Sequence, residues 1–297
     1  MCCCATLPAY STGCRRRYAV SDRWRKVGAT PFLGALATVQ KAKVLVGFAR
    51  RSDSARQVAD LIRSDIVTNR FQGNLPYEWD LMEKYRSTRN VVRDAMAILQ
   101  GQNLLRRVPG SGTFTLAPGT SFSVDRKESR VAVKLDPKPD RPSDPTYAEK
   151  VVEGYPDGIY KCINAEVGDC PEPVASRLQI SDGAPVMYVE VAISLNNERQ
   201  RLRSSWIPLD RVPDIQEGSL DCFMPDRIAG LMGAETYSKN MLFEAVNADE
   251  SAAQLLGIPV NGAVLMTERL NCVQGDVPVE FGFTRHRGDR TLIVSNL

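Results

Sequence analysis

Apolar residues recur with a helical period over several stretches of the N-terminal half. Val58, Leu61, Ile62 and Ile66 fall at helical spacing behind Ser54 and Gln57. That pair fits a capping box, so an amphipathic helix is predicted over roughly 54–68, ended by Asn69. Leu75-Pro76 sets an extended entry, because proline pushes the residue before it out of helical geometry, and Glu78 to Tyr85 reads as a short second helix. Arg86-Ser87 makes a turn and Thr88 caps a third helix, in which Val92, Ala95, Met96 and Leu99 recur at i, i+3, i+4 and i+7 and define the packing face. Weak alternation from Leu104 to Val108, the turn Pro109-Gly110-Ser111-Gly112 and a return over Thr113 to Leu116 predict a hairpin.

The polar positions left over by this pattern carry the chemistry. Arg89, Asn90 and Arg93 lie on the N-terminal face of the third helix, away from its packing side. A DNA major groove admits one helix, arginine pairs bidentately with guanine and asparagine with adenine. In a helix-turn-helix the first turns of the second helix meet the bases, where these residues stand. Between Arg86 and Arg107 there are five arginines and one acid, Asp94. For any single arginine an ordinary solvated helix face is the simpler explanation. The hairpin favours DNA, because Arg106 and Arg107 flank a turn whose glycines let backbone approach a minor groove or a phosphate.

The second half is patterned differently. From Ala117 to about Pro145 the chain is rich in Pro, Ser, Asp and Lys, which predicts a linker permitting domain motion, with a short strand at Val131–Leu135. An internal repeat follows with a period of about 78 residues: Leu178, Ile180 and Gly183-Ala184 are answered by Leu256, Ile258 and Gly262-Ala263. Each copy reads as a short helix, a glycine turn, a β-branched strand, a polar hairpin turn (Asn196-Asn197; Gln274-Gly275-Asp276) and a return strand. Two such units would pair into one antiparallel sheet with helices segregated from it, leaving a cleft for a small ligand.

Composition narrows this picture. A chain of 297 residues accommodates two domains, and 43% hydrophobic with 25% charged residues is that of a soluble globular protein. The net charge of +3 is misleading, because residues 1–50 hold nine Lys or Arg against Asp22 alone, a net of +8, which leaves residues 51–297 at −5. DNA affinity therefore has to come from local clustering. Residues 1–50 are expected to be a poorly ordered extension or sequence upstream of the true start, with a basic arm touching phosphates as the alternative. Their run PFLGALATV, broken off by Lys41 and Lys43, fits neither a signal peptide nor a membrane helix, so no membrane partner and a cytoplasmic location are expected. Eight cysteines without a C-x-x-C pair, and the single His286, give no zinc site, no metal and no cofactor; Cys162, Cys170, Cys222 and Cys272 read as buried or partly buried thiols.

Taken together, Ile66-Val67-Thr68-Asn69, Leu75-Pro76-Tyr77-Glu78, Thr88-Arg89-Asn90-Val91-Val92-Arg93 and Gly110-Ser111-Gly112-Thr113-Phe114 resemble the winged helix-turn-helix of the GntR family of bacterial transcription regulators. The resemblance implies that Thr88, Arg89, Asn90 and Arg93 address the major groove and that Gly110 and Ser111 form the wing tip, with Arg86 and Arg107 joining the DNA-binding set. Tyr77 stands where the family usually has Ser, Trp79 where it has a DNA-contacting Arg, and Arg86 where it has Gly. These departures imply an altered operator preference, or contact through phosphate instead of base.

The second half, in GAVLMTERLNCVQGDVPVEFGFTRHRGDR and SSWIPLD, resembles the UTRA ligand-sensing domain that accompanies such heads in the HutC subfamily. That implies an α+β chain, a winged helix-turn-helix followed by a chorismate-lyase-like antiparallel sheet with helices. Its expected divisions are a 1–50 extension, a 51–117 DNA-binding domain, a 118–148 linker and a 149–297 effector-binding and dimerisation domain. Glu280 and His286 fall where the family places ligand contacts, and Arg203 and Ser205 line the matching strand of the first repeat. For His286, exposure between Arg285 and Arg287 is the competing explanation. Phosphosugar sensors of the group carry Arg-x-Arg on the first repeat's leading strand, where this chain has Val191 and Ile193, so a different effector is expected. The function implied is a homodimeric repressor of a palindromic double-stranded DNA operator, released by a small-molecule effector. A ligand-independent repressor of plasmid or phage type, or an enzyme with a lyase-like domain, are the alternatives.

Overall fold

The computed structural model describes residues 50–71, 73–116, 130–135 and 158–296. The expected extension, and the linker except for one strand, lie outside these residues. Helices α1 (Arg51–Val67), α2 (Glu78–Lys84) and α3 (Arg89–Gly101) are followed by the hairpin β1 (Leu105–Val108) and β2 (Gly112–Thr115). Val58, Leu61, Ile62 and Ile66 of α1 and Val92, Ala95 and Leu99 of α3 are buried together with Leu81 and Tyr85, so the helical spacing marks the core of this head as expected. Asn69 and Arg86 are left-handed, with φ of 55° and 48°. Arg86 thus occupies a conformation that glycine adopts without a steric penalty.

One boundary needs correction. Ser54 and Gln57 do not cap α1, which starts earlier: Arg50 is the N-cap, and the Asp53 carboxylate accepts the Arg50 N–H at 3.2 Å. Asp53 supplies the same N-terminal acceptor one turn upstream of the expected one.

Strand β3 (Arg130–Leu135) confirms the short strand expected in the linker and pairs with β10 (Thr291–Asn296). The body between them is a six-stranded antiparallel sheet in the order β4-β5-β6-β9-β8-β7. Its strands are β4 (Ile159–Asp169), β5 (Pro185–Leu195), β6 (Glu198–Pro208), β7 (Tyr237–Asn247), β8 (Ala263–Val273) and β9 (Val277–Arg287). Helices α4 (Glu172–Leu178) and α6 (Glu250–Leu256) precede β5 and β8, and α5 (Met224–Met232) precedes β7. The repeat is therefore longer than the sequence shows, since β4 and β7 open its two copies. Ile159 and Tyr237, Glu172 and Glu250, and Pro185 and Ala263 are each separated by 78 residues. The hairpin turns use left-handed Asn196-Asn197 and Gly275-Asp276, as the polar turn residues require.

The two copies meet where β6 pairs with β9, Ser205 opposite Gly282. Here a side chain is excluded, since a Cβ on Gly282 would stand 2.0 Å from the Ser204 carbonyl oxygen.

The sheet's two faces differ. Trp206, Phe281 and Phe283 face the head and share a core with it and with α4. On the other face Met187, Val189, Val191 and Ile193 pack under the segment that includes Val212, Ile215, Met224 and Ile228. Val191 and Ile193 are thus ordinary core residues, 1% and 2% exposed.

Helix α1 joins the two modules and is buried on its polar side as well as its apolar one. Arg56 reaches Glu190 of β5 at 2.7 Å, Arg63 reaches Glu244 of β7 at 2.5 Å, and Asp60 is held by both terminal nitrogens of Arg285 of β9, one at 2.7 Å. Asp65 accepts from Tyr85 at 2.8 Å and pairs with Arg177 of α4 at 3.3 Å. Arg56, Asp60, Arg63 and Asp65 are all buried. Buried charges require such partners, because leaving water is otherwise too costly. The sequence pattern leads one to expect a freely tethered head; in the structure charged pairs hold the head on the sheet.

Candidate functional site

On the head, α3 starts at the Thr88 N-cap, whose hydroxyl accepts the Val91 N–H at 3.5 Å. This fixes the first turn, and Thr88, Arg89, Asn90 and Arg93 are all exposed on it. Glu78 at the start of α2 holds Arg89 at 3.0 Å and Arg93 at 3.4 Å. Exposed pairs of this kind contribute little, roughly 0–1 kcal/mol, so an incoming phosphate or base can displace Glu78 at small cost. Asp94, the acid in the set, is taken up by Arg51 at 2.6 Å. The wing turns at Gly110 and Gly112, with φ of 76° and 115°, and Ser111 is exposed between them. Arg106 and Arg107 are both exposed on β1 and, as neighbours on a strand, project to opposite sides. Strand β2 is anchored to the entry of α2, since the Leu75 N–H donates to the Thr113 carbonyl at 2.9 Å.

Arg86, in the turn before α3, is engaged by the body. Its Nε–H donates to the Cys170 carbonyl at 2.9 Å and its guanidinium pairs with Asp182 at 3.0 Å, so it fastens the turn before α3 to the body. Arg86, itself exposed, thus makes a contact between modules in this arrangement. Tyr77 and Trp79 remain, 76% and 64% exposed at the start of α2. They put two aromatic rings beside Glu78 and the arginines it holds.

The far face of the sheet gathers the expected effector residues. Glu280 is fully buried and accepts from Arg203 at 2.9 Å, from Ser205 at 2.5 Å, from Arg269 at 2.9 Å and from Asn271 at 2.6 Å. Burial alone would raise its pKa, but Arg203 and Arg269, with the Ser205 and Arg269 hydrogen bonds, outweigh burial and bring it down to about 2. Burial and the neighbouring Arg203 lower Arg269 to about 9, against the pull of Glu280. His286 shares this face; it is 5% exposed, so the exposed alternative does not hold. Burial first, then Arg201, Arg269 and Arg203, keep its pKa well below the ordinary value, and the ring is neutral. Its Nε2 lies 3.4 Å from the Thr267 hydroxyl, while its Nδ1 has no partner.

The structure therefore brings Arg203, Ser205 and Glu280 together, while His286 lies on the same face six residues farther along β9, beside Thr267 and opposite Arg201. The sequence missed Arg269 and Asn271, which lie on β8 at alternate positions facing Glu280. Their signal was the period-2 spacing Thr267, Arg269, Asn271 inside a strand already recognised.

Among the described thiols, burial pushes Cys170 up to about 12 and Cys162 up to about 11, which disfavours the thiolate. Among the described residues no group of three or more His, Cys, Asp or Glu side chains could hold a metal, and no helix is long and apolar enough to cross a membrane.

Comparison with known proteins assigns both modules. Residues 54–115 match the bacterial regulatory proteins of the gntR family, and residues 159–291 match the UTRA domain. The chain is 23% identical over 240 residues to the HTH-type transcriptional regulator GmuR of Bacillus subtilis, covering 80% of this chain and 95% of that protein. It is also 23% identical over 248 residues to the HTH-type transcriptional repressor NagR of the same organism, covering 80% and 92%. Among solved structures, the possible transcriptional regulator YydK of B. subtilis aligns with a TM-score of 0.45 and 16% identity, over 81% of this chain and 97% of that one.

Proposed function

The chain is a GntR-family DNA-binding transcriptional regulator with a UTRA effector-binding domain, and on that premise we propose that it is a homodimeric repressor of HutC type, released from a palindromic operator by a small effector. The observation that carries this is that α1 bears on the sheet whose opposite face holds Glu280. Along β9 the side chains alternate: Arg285 grips Asp60 of the head, while Glu280, Thr284 and His286 face the other way. A shift of β9 on ligand binding therefore reaches the head without a flexible intermediary. Coupling requires only that the effector bind the two head arrangements with different affinity.

The DNA contacts proposed are Thr88, Arg89, Asn90 and Arg93 in the major groove and Arg107, Gly110 and Ser111 at the wing. Trp79 takes the place of a family arginine and meets a sugar, a phosphate or a thymine methyl with its indole. Phosphate contacts make the affinity fall steeply with salt.

For the effector, Arg203 and Arg269 are set against Glu280 while His286 is neutral. Arg201 shares this face opposite His286, so the lining is cationic and rich in hydrogen-bond donors and suits a small anionic or polar ligand. Val191 and Ile193, buried under the 209–232 segment, offer no phosphate clamp. The domain acts as a sensor and not as a catalyst, because Glu280 is fully engaged by four donors and is a poor proton acceptor.

The proposal is tested by screening carboxylated and neutral polar metabolites for stabilisation of the full chain, then titrating each binder into the operator complex followed by fluorescence anisotropy. Release by a binder, lost in Glu280→Gln, supports it. A binder that stabilises the protein without changing operator affinity would count against coupling, and a chain that no metabolite stabilises would favour the ligand-independent repressor.

A further inference from the structure

A cavity of about 370 Å³ lies between the head and the near face of the sheet, on the opposite side from Glu280. Its walls are Gln57 and Leu61 of α1, the Arg86-Ser87 turn, Glu166 and Asp169 of β4, and the Tyr188–Trp206 pair of β5 and β6. The two rings stand 5.0 Å apart at 58° and form an aromatic wall. Tyr188 is 4% exposed, yet its hydroxyl has no hydrogen-bond partner, and the buried Gln57 Nε2 has none either. Buried polar groups are nearly always satisfied, and two orphans on one cavity mark a place where a partner belongs.

The charge of the walls indicates the kind of partner. Arg86 is answered by Asp182, whereas Glu166, directly opposite Tyr188 in the β4–β5 register and so on the same face of the sheet, makes no ion pair among the described residues; Asp169, opposite Pro185, alternates to the other face. The cavity thus offers one unanswered carboxylate, an aromatic wall and a hydroxyl that can accept or donate.

We propose that this cavity is a second ligand site, specific for a small organic cation with a flat apolar body. The cationic end lies against Glu166 and donates to the Tyr188 oxygen, and the flat body rests against Tyr188 and Trp206 by aromatic stacking. Such a ligand touches α1, the turn that sets α3, and the sheet together. It therefore binds the docked arrangement of the head and stabilises it by linkage, giving operator binding a second input that does not pass through Glu280.

The test uses benzamidine as the probe, with benzamide as its neutral isostere and benzoate as its anionic one, titrated into the full chain by calorimetry. Benzamidine is expected to bind at least about tenfold more tightly than either isostere. Tyr188→Phe and Glu166→Gln should each weaken it several-fold, while Glu280→Gln leaves it unchanged. Both variants keep the volume of the residue replaced, and unchanged circular dichroism establishes that they are folded. Absence of benzamidine binding, equal binding of benzamide, or binding indifferent to both variants would overturn the proposal.

Discussion

Replacing Asp60 by alanine strands the Arg285 guanidinium at the centre of the contact between modules. Arg285 is 5% exposed and Asp60 2%, and both oxygens of that carboxylate are used by Arg285. The freed cation cannot reach water without undocking α1 from β9. Removing one partner of a buried pair costs about 3–5 kcal/mol. For a chain of this size that corresponds to a fall in Tm of roughly 6–20 °C. Urea titration followed by circular dichroism measures it, with the midpoint shifting at nearly constant slope. The companion variant Asp60→Leu with Arg285→Met removes both charges and fills the space with apolar atoms. It should recover most of the loss, since a buried pair replaced as a unit is often neutral or stabilising. A single variant within about 1 kcal/mol of the parent would refute the reasoning, because that is the behaviour of a solvated pair. So would a double variant no more stable than the single one.

Other outcomes follow from the same geometry. Trp79→Arg restores the residue usual in the family at an exposed position and is expected to change operator preference without changing Tm; identical selected sequences for both proteins would remove Trp79 from the interface. Gly282→Ala sets a Cβ against the Ser204 carbonyl where β6 meets β9, and should cost at least about 2 kcal/mol as overpacking with no flexible neighbour to yield; thermal unfolding near the parent Tm would contradict the clash. His286 has a folded pKa well below its unfolded value of about 6.5, so the unfolded chain binds the proton first and stability falls as pH drops below about 6.5, by up to about 1.4 kcal/mol per pH unit. His286→Gln should flatten that slope between pH 6.5 and 5; an unaltered slope would assign it to other groups. Glu280, depressed to about 2, adds its own loss only lower, as pH falls through about 4.3 towards 2.

The head was legible in the sequence because its rules are local. Val92, Ala95 and Leu99 mark a packing face by spacing alone, Thr88 caps through a neighbour three residues away, and Gly110 and Gly112 announce a turn. The central hairpins were legible for the same reason, and the resemblance to the UTRA domain then put Glu280 at a ligand position, with Arg203 and Ser205 on the matching strand. Strands β4 and β7 escaped notice because they are the edges of the sheet, and their half-exposed mixtures of polar and apolar residues lack clean alternation. The course of α1 was illegible for a different reason. Its apolar stripe is ordinary, but Arg56 finds Glu190 across 134 positions and Asp60 finds Arg285 across 225, and no window along the chain contains both partners. The contact of Arg86 with the body was illegible for that reason too: its acceptor, Cys170, lies 84 residues away.

The central claim is that a small exposed set on α3 and the wing reads DNA sequence in a protein whose described body carries no general excess of positive charge. In vitro selection from a random duplex library, using the full chain and its Arg89→Ala variant, tests it most directly. The account expects enrichment of a two-fold symmetric site by the parent chain. In the variant, discrimination at one position of each half-site should relax by about 1–3 kcal/mol, with the rest of the site retained. Failure of the parent chain to enrich any sequence, or an identical selected site for the variant, would contradict it.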